Sequence, residues 1–444
     1  MSGIALALLK KNFSVSGSDI IENDRINELN KNGAIIFNKQ NKININVIKK
    51  KFKEKKITIV VSSAIKPSND ELTYCLKNNF NIKHRSEILS QIMNTYKSIA
   101  VAGSHGKTST STLLTILLDL CTNDTSSIVG GIIPNYESNS LIKNSKFLIT
   151  EIDESDGTTN NYHPFLGIIT NIDFDHCDYY SNLDQLTSSF NQFGLNSNNL
   201  LTNFDCKISR ENIKSKYKWS VKKISGIDFS MIPKEMNYKY TIADYYEKEK
   251  FIETLNIPIP GIHNLSNITA AISACRINNI NIKNIIKNIE FIKLPKRRFE
   301  FRGNIAERIL VDDYGHHPSE IRATLELGRL YIKDQDTTRK RLVLIFQPHR
   351  YTRLNMFLPE FVKELSKADL ILITKVYSAG ETSIKDINSK VIVDKIYKIN
   401  KNVKFLNDNN QIVKEFFKFT KKGDLILNMG AGNSHNLWEL LNSC

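Results

Sequence analysis

The sequence predicts an α/β protein built from three domains. Three observations predict it. Apolar strand-like runs alternate with amphipathic helical stretches along most of the chain; its 444 residues exceed what one core holds; and a glycine-containing loop, "GSHG", joins a strand-like run to a helix-like one. Runs such as "RLVLIF", "LILIT" and "DLILNM" are apolar without alternation, as expected of parallel strands covered on both faces.

Taken in order, "SGIALALLKKN" has the spacing of a short helix and "FSVSGSD" that of a strand ending on an acid, as in the second half of a dinucleotide-binding opening. Strand-like "GAIIF" and "ITIVVSSAI" follow, and residues 1–92 form a first, Rossmann-like unit. A second unit, residues 93–293, opens with "SIAVAGSHGKT" and carries the strands "SKFLITEIDESD" and "FLGIITNIDFDH" and the helix "NLSNITAAISACRINN". The third, residues 294–444, alternates the apolar strands quoted above with helices such as "LPEFVKELSKA" and is again Rossmann-like.

Composition removes several function classes. The net charge of +15 comes from Lys spread along the whole chain, not from a basic patch, so no nucleic-acid partner is inferred. The six cysteines are scattered without a C-x-x-C pair and read as reduced thiols of a cytoplasmic protein. No run reaches the ~18 apolar residues that span a bilayer, so membrane insertion is not expected. A dehydrogenase reading lacks any Gly-x-Gly-x-x-Gly.

The chemistry gathers around the loop. Its pattern is shorter than the usual phosphate loop: two residues, not four, separate Gly103 from the Gly106-Lys107 pair, and Val101 stands where a glycine is expected. The placement between strand and helix still suits phosphate binding, because loop and helix N–H groups face an anion. Gly103, Ser104, His105, Gly106, Lys107, Thr108 and Ser109 are therefore the expected ATP-binding residues, with Lys107 supplying charge and Thr108 a magnesium ligand. Magnesium needs further oxygen ligands, and Glu151 at a strand end is the preferred one. Asp153, Glu154 and Asp156 read equally well as a solvated acidic turn. A second acidic cluster, Asp173, Asp175, His176 and Asp178, ends the next strand on the same rim and favours a second metal site. Cys177 reads as an ordinary thiol.

The loop G-S-H-G-K-T resembles that of the Mur ligases, Gly-Thr-His/Asn-Gly-Lys-Thr/Ser, with Ser104 in the Thr place. The strings "EIDESDG", "NIDFDHCDYY", "PGIHNLSN", "RRFEFRG", "VDDYGHHPSEI", "FQPHRYTR", "YSAGE" and "GAGN" resemble the family's motif series, in order over nearly the whole chain. The resemblance implies ATP-dependent amide formation in peptidoglycan precursor synthesis, with Mg2+ as cofactor and a monomer or homodimer as the assembly. Tyr314, Gly315 and residues 347–353 are similar to the branch that adds L-alanine to UDP-N-acetylmuramate. The branch that reattaches a recycled tripeptide to the same sugar nucleotide is the runner-up, and a nucleotide-binding protein without ligase activity the third reading.

By motif position the resemblance implies that Lys107 neutralises the β- and γ-phosphates, that Thr108 and Glu151 hold one magnesium and that His176 holds a second. Asn264 would contact adenine, with His263 and Asn267 weaker candidates, and Arg298 and Asp313 would lie near the nucleotide, though either could instead belong to an ordinary hinge ion pair. His316, Arg350 and Arg353 would serve the amino acid and the transferring phosphoryl group, and Tyr314 would pack against the substrates. Ser18, Asp19, Ser62, Ser63 and His84 match positions expected around the UDP moiety. One departure stands out: the family's first domain opens Gly-x-Gly-Gly-x-Gly-Met-Ser, and this sequence starts at the Met-Ser. The expectation is an upstream start, or a first domain in which the neighbours of a missing central strand lack a partner.

Overall fold

A computed structural model describes residues 1–21, 23–53, 56–175, 179–335 and 340–442. The expected helix over "SGIALALLK" runs Ser2–Lys10 and faces two ways. Leu6 packs with Leu29 and Ala34 of the first domain, while Ile4 and Ala7 join Ile88 and Leu89 in a cluster that includes Ile128, Leu148 and Ile152 of the next. The first domain's strands make two separate parallel pairs, Ser16–Ser18 with Ile35–Phe37 and Thr58–Val61 with Asn81–His84. In a doubly wound order Ser16–Ser18 and Thr58–Val61 would flank a central strand; each has one neighbour among the described residues.

The middle domain is a ten-stranded sheet. Its parallel centre runs Thr125–Ile133, Phe147–Glu151, Lys97–Ala102, Leu166–Ile169, Asn199–Asn203, Tyr217–Ser220 and Phe229–Met236, with antiparallel strands at both edges. Alternation along Lys97–Ala102 divides the core. Ile99 and Val101 face helices Lys107–Thr122 and Ile262–Ile277, whereas Ala100 and Ala102 face Phe190, Phe193 and the first helix. Leu113, Leu114, Leu117 and Leu118 are all fully buried on the loop helix, each worth ~2 kcal/mol on the transfer scale, so the helix that presents the loop is fixed to the sheet.

The third domain is a six-stranded sheet in the order Glu300–Ile305, Arg308–Asp313, Leu425–Met429, Leu342–Phe346, Leu370–Ile373 and Val403–Phe405, parallel except for the first hairpin. Helix Pro318–Asp334 follows the second strand, with Pro at its start and a capping box in which the His317 ring accepts from the Ser319 N–H and Glu320 accepts from the His317 N–H. The carboxyl ends of strands in the middle and third domains meet across one cleft.

Candidate active site

The short loop follows from its strand. Val101 is fully buried inside Lys97–Ala102, registered against Glu151 and Ile168, so the turn begins only at Gly103. Gly103 (φ +127°) and Gly106 (φ +80°) both need the backbone freedom of glycine. A Cβ at Gly103 would stand 2.1 Å from Thr170 Oγ1, and one at Gly106 2.6 Å from Asn267 Oδ1. The neighbouring strand end braces the loop: the His105 N–H donates to Asn171 Oδ1 (2.9 Å), and the His105 carbonyl accepts from Thr170 Oγ1 (2.6 Å) and Asn171 Nδ2 (2.9 Å). Ser104 Oγ bridges Asp173, accepting from its N–H and donating to its carbonyl. Thr170 and Asn171 carry no chemical signal in the sequence beyond their position at a strand end. Ser109 is buried in the first turn of the loop helix.

Lys107 Nζ folds over the loop, donating to the Gly103 carbonyl (2.6 Å) and to Glu154 Oε1 (2.8 Å). Burial works against its charge, but Glu154 outweighs burial and raises its pKa. The solvated-turn reading of "DESD" therefore fails for Glu154, while the Asp153 side chain stays 43% exposed. Glu154 is fully buried against Lys107; Asp153 and Asp156 meet Arg85 at 2.7 and 3.1 Å; and Ser63 donates to Asp156 at 2.8 Å. The turn joins the middle domain to the first.

Thr108 and Glu151 come together. The Thr108 hydroxyl donates to Glu151 Oε2 (3.0 Å), while Glu151 Oε1 accepts from the Gly130 N–H and from Ser111 Oγ, both at 2.8 Å. Two hard oxygens beside the phosphate loop fit a magnesium ion. His176, Cys177 and Asp178 lie outside the described residues.

From the third domain, Tyr314, His316, Glu320, His349, Arg350 and Arg353 line the same cleft of about 460 Å³ as Lys107, Thr108 and Glu151. Tyr314 is flanked by the guanidinium groups of Arg297 and Arg298, 5.1 and 5.4 Å from its ring centre. Burial, with Arg353 nearby, lowers the His316 pKa to about 4, leaving a neutral ring. Arg350 sits at φ +69°, and the next helix, Tyr351–Met356, is capped from afar by Glu381 of "YSAGE", which accepts from the Tyr351 and Thr352 N–H groups. Arg353 reaches across the domain boundary: its Nε and Nη2 fork onto Asp175 at 3.0 Å each, with both residues buried. Arg298 pairs with Glu320 (3.4 Å), while Asp313 accepts from the N–H groups of Phe299 and Gly315; burial raises the Asp313 pKa to about 6. Arg298 is thus held in an ion pair, the alternative open to it from sequence, while Asp313 is held by backbone N–H groups. Asn264 Nδ2 donates to the Pro260 carbonyl, and Asn267 Oδ1 accepts from Thr110.

The UDP-site candidates divide. Ser63 Oγ lies 3.1 Å from His84 Nε2 beside Asp156. Ser18 donates to Glu71, Asp19 caps the Ile21 N–H, and the Ser62 carbonyl accepts from Ile65 in a turn. These hydrogen bonds of Ser18, Asp19 and Ser62 go to partners outside that Asp156 group.

Three family models match consecutive parts of the chain: the Mur ligase family catalytic domain over residues 1–97, the Mur ligase middle domain over 101–275, and the Mur ligase glutamate ligase domain over 297–432. A relative from Prochlorococcus marinus subsp. pastoris, named UDP-N-acetylmuramate–L-alanine ligase, is 57% identical over 99% of this chain and 94% of its own length. The chain belongs to the Mur ligase family. A second relative of the same name, from another Prochlorococcus marinus strain, is 47% identical over 100% of this Mur ligase and 92% of its own length. The fold is that of the UDP-N-acetylmuramate-alanine ligase MurC of Thermotoga maritima (TM-score 0.82, 23% identity, covering 100% of this chain and 96% of that one). The murein peptide ligase of Psychrobacter arcticus is also similar in fold (TM-score 0.72, 19% identity, covering 100% of this chain and 96% of that one). No helix among the described residues of this Mur ligase is long and apolar enough to cross a membrane.

Proposed function

We infer that this Mur ligase joins L-alanine to the lactyl carboxylate of UDP-N-acetylmuramate, using ATP, in peptidoglycan precursor synthesis. The observation that carries the reading is 57% identity, over 94% of its length, to a relative named for that reaction. The carboxylate oxygen attacks the γ-phosphorus, ADP leaves, and the amine of L-alanine displaces phosphate from the acyl phosphate to form the amide. Both steps bring anions together, so the demand on the protein is for positive charge and for exclusion of water.

Lys107, already turned over the loop, meets the β- and γ-phosphates by exchanging Glu154 and backbone contacts for phosphate oxygens. Thr108 and Glu151 would hold magnesium, which would supply charge neutralisation at the phosphates, and His176 would hold a second ion. Asn264, Arg298 and Asp313 serve the nucleoside of ATP. Arg350 and neutral His316 face the amino acid and the transferring phosphoryl group, and Ser63 with His84 serves the UDP-sugar side. The setting is the cytoplasm.

The reading is tested by phosphate release from ATP and magnesium with UDP-N-acetylmuramate, adding L-alanine, other amino acids or the recycled tripeptide singly. Release requiring both the sugar nucleotide and L-alanine, with the amide seen by mass, is expected. Release with the tripeptide alone would transfer the chain to the recycling branch, and release independent of any amine would leave it a nucleotide-binding protein.

A further inference from the structure

Arg350 combines a backbone that suits glycine with a side chain that glycine lacks. At φ +69° and ψ 138° it borders a region in which residues other than glycine persist only when their surroundings hold them there. The hold comes from one loop, "YSAGE" (residues 377–381), which follows the strand Leu370–Ile373. On one side, the Arg350 N–H donates to the Tyr377 carbonyl (2.9 Å) and the Tyr377 N–H donates to the Pro348 carbonyl (2.8 Å), while the Tyr377 and His349 rings stack at 5.6 Å. On the other, both oxygens of Glu381 are engaged. Its Oε2 accepts from the Tyr351 and Thr352 N–H groups at 2.6 and 3.2 Å, and its Oε1 accepts from the Thr352 hydroxyl at 2.6 Å. Ala379 (φ +49°) and Gly380 (φ +89°) turn the loop back so that Glu381 reaches this position.

We propose that Glu381 is a positioning residue: it pins the two peptides after Arg350, so that Arg350 keeps its left-handed backbone and its side chain stays on the wall of the cleft. Relaxation to negative φ would turn the Arg350 Cα–Cβ bond relative to the peptide before it, and that peptide is fixed to Tyr377. The guanidinium would then leave the wall it shares with His316 and His349. Glu381 is suited to the task by chemistry as well as by place. Three donors converge on its two oxygens, which a carboxylate can accept and a carboxamide, with one acceptor oxygen, cannot match. Its Oε1 also stands 3.9 Å from Arg350 Nη1, within range of the arginine's charge.

In what it says of catalysis, the proposal rests on the ATP-dependent ligase reading, in which Arg350 serves the amino acid and the transferring phosphoryl group. A planar fork recognises a carboxylate or a phosphoryl group only in the right orientation, so a displaced Arg350 weakens the handling of L-alanine. Lys107, Thr108 and Glu151 belong to the middle domain and keep their own partners, so the grip on the nucleotide is spared. The expected signature is therefore a loss confined to the amino-acid side of the reaction.

The test is a cycle of Glu381→Gln and Arg350→Gly, read first by amide hydrogen exchange on the full-length protein without substrates. Glu381→Gln should speed exchange of the Tyr351 and Thr352 amides by at least about tenfold. In the Arg350→Gly background the backbone needs no holding, and the same change should speed exchange by no more than about threefold. Equal acceleration in both backgrounds would reduce Glu381 to a helix cap and overturn the proposal, as would unchanged exchange in Glu381→Gln. In the ligase assay, Glu381→Gln lowers kcat/KM for L-alanine by at least about tenfold while KM for ATP stays within about twofold, and in an Arg350→Gln background it adds nothing. A loss shared equally by L-alanine and ATP, or one that adds in full to that of Arg350→Gln, would refute the positioning role. Exchange is read without turnover, so a wild type that forms no amide fails the ligase reading alone, and the hold on Arg350 is judged separately.

Discussion

Replacing Asp175 by Asn should unfasten the third domain from the middle one, and the size of the effect follows from the geometry of one ion pair. Arg353 forks onto Asp175 through two contacts of 3.0 Å, and each side chain is only 5% exposed. Removing one partner of such a pair leaves a buried charge uncompensated, which costs about 3–5 kcal/mol. The protein has a cheaper escape: the domains separate and Arg353 regains water. The destabilisation is then of the docked state and not of either fold, and even about 3 kcal/mol lowers the docked fraction relative to the open one by about 100-fold. If chemistry needs docking, kcat/KM falls with it. The assay is a double-mutant cycle on kcat/KM for L-alanine, using Asp175→Asn, Arg353→Gln and the pair, with small-angle scattering to follow opening. A latch predicts that both single variants lose activity, that both expand, and that the double variant is no worse than the poorer single, a coupling of at least about 1.5 kcal/mol. Losses that add within about 0.5 kcal/mol, with Asp175→Asn nearly silent, would show instead that Arg353 acts on substrate alone and would refute the latch.

Gly103→Ala sets a Cβ 2.1 Å from Thr170 Oγ1 at φ +127°, so ATP affinity measured by calorimetry should fall by at least about tenfold; an unchanged affinity would mean the loop bends without cost. Glu151→Gln removes the charge beside Thr108 while keeping its Gly130 and Ser111 contacts within reach; the magnesium concentration for half-maximal phosphate release should rise, and an unmoved titration would locate the cation elsewhere.

Much of the architecture was legible because it is written in short-range pattern. Apolar runs without alternation announced parallel strands, and the strand Leu342–Phe346 is buried along its whole length. "GSHGKT" between strand and helix announced the phosphate loop, since its demands are local: two glycines with positive φ, a lysine, and free N–H groups at a helix start. Val101 in place of a glycine was legible as an anomaly; its cause, a strand that continues to Ala102, required the sheet.

What the sequence by itself determined is therefore the alternation of elements, the kind of loop, the ordered motif series and, through that series, the family. The tertiary structure decided who faces whom. Glu154, which sequence could equally assign to solvent, became the buried counter-ion of Lys107; Asp156 became the meeting point of Ser63 and Arg85; and Arg353 found Asp175 across 178 positions of chain. Glu320 carried no signal beyond a helix-cap spacing, yet it meets the phosphate loop at His105. The physical reason is one of range. Periodicity, turns and caps are satisfied within a few residues, whereas a buried charge is satisfied by whichever strand end the packing of separate domains brings alongside it.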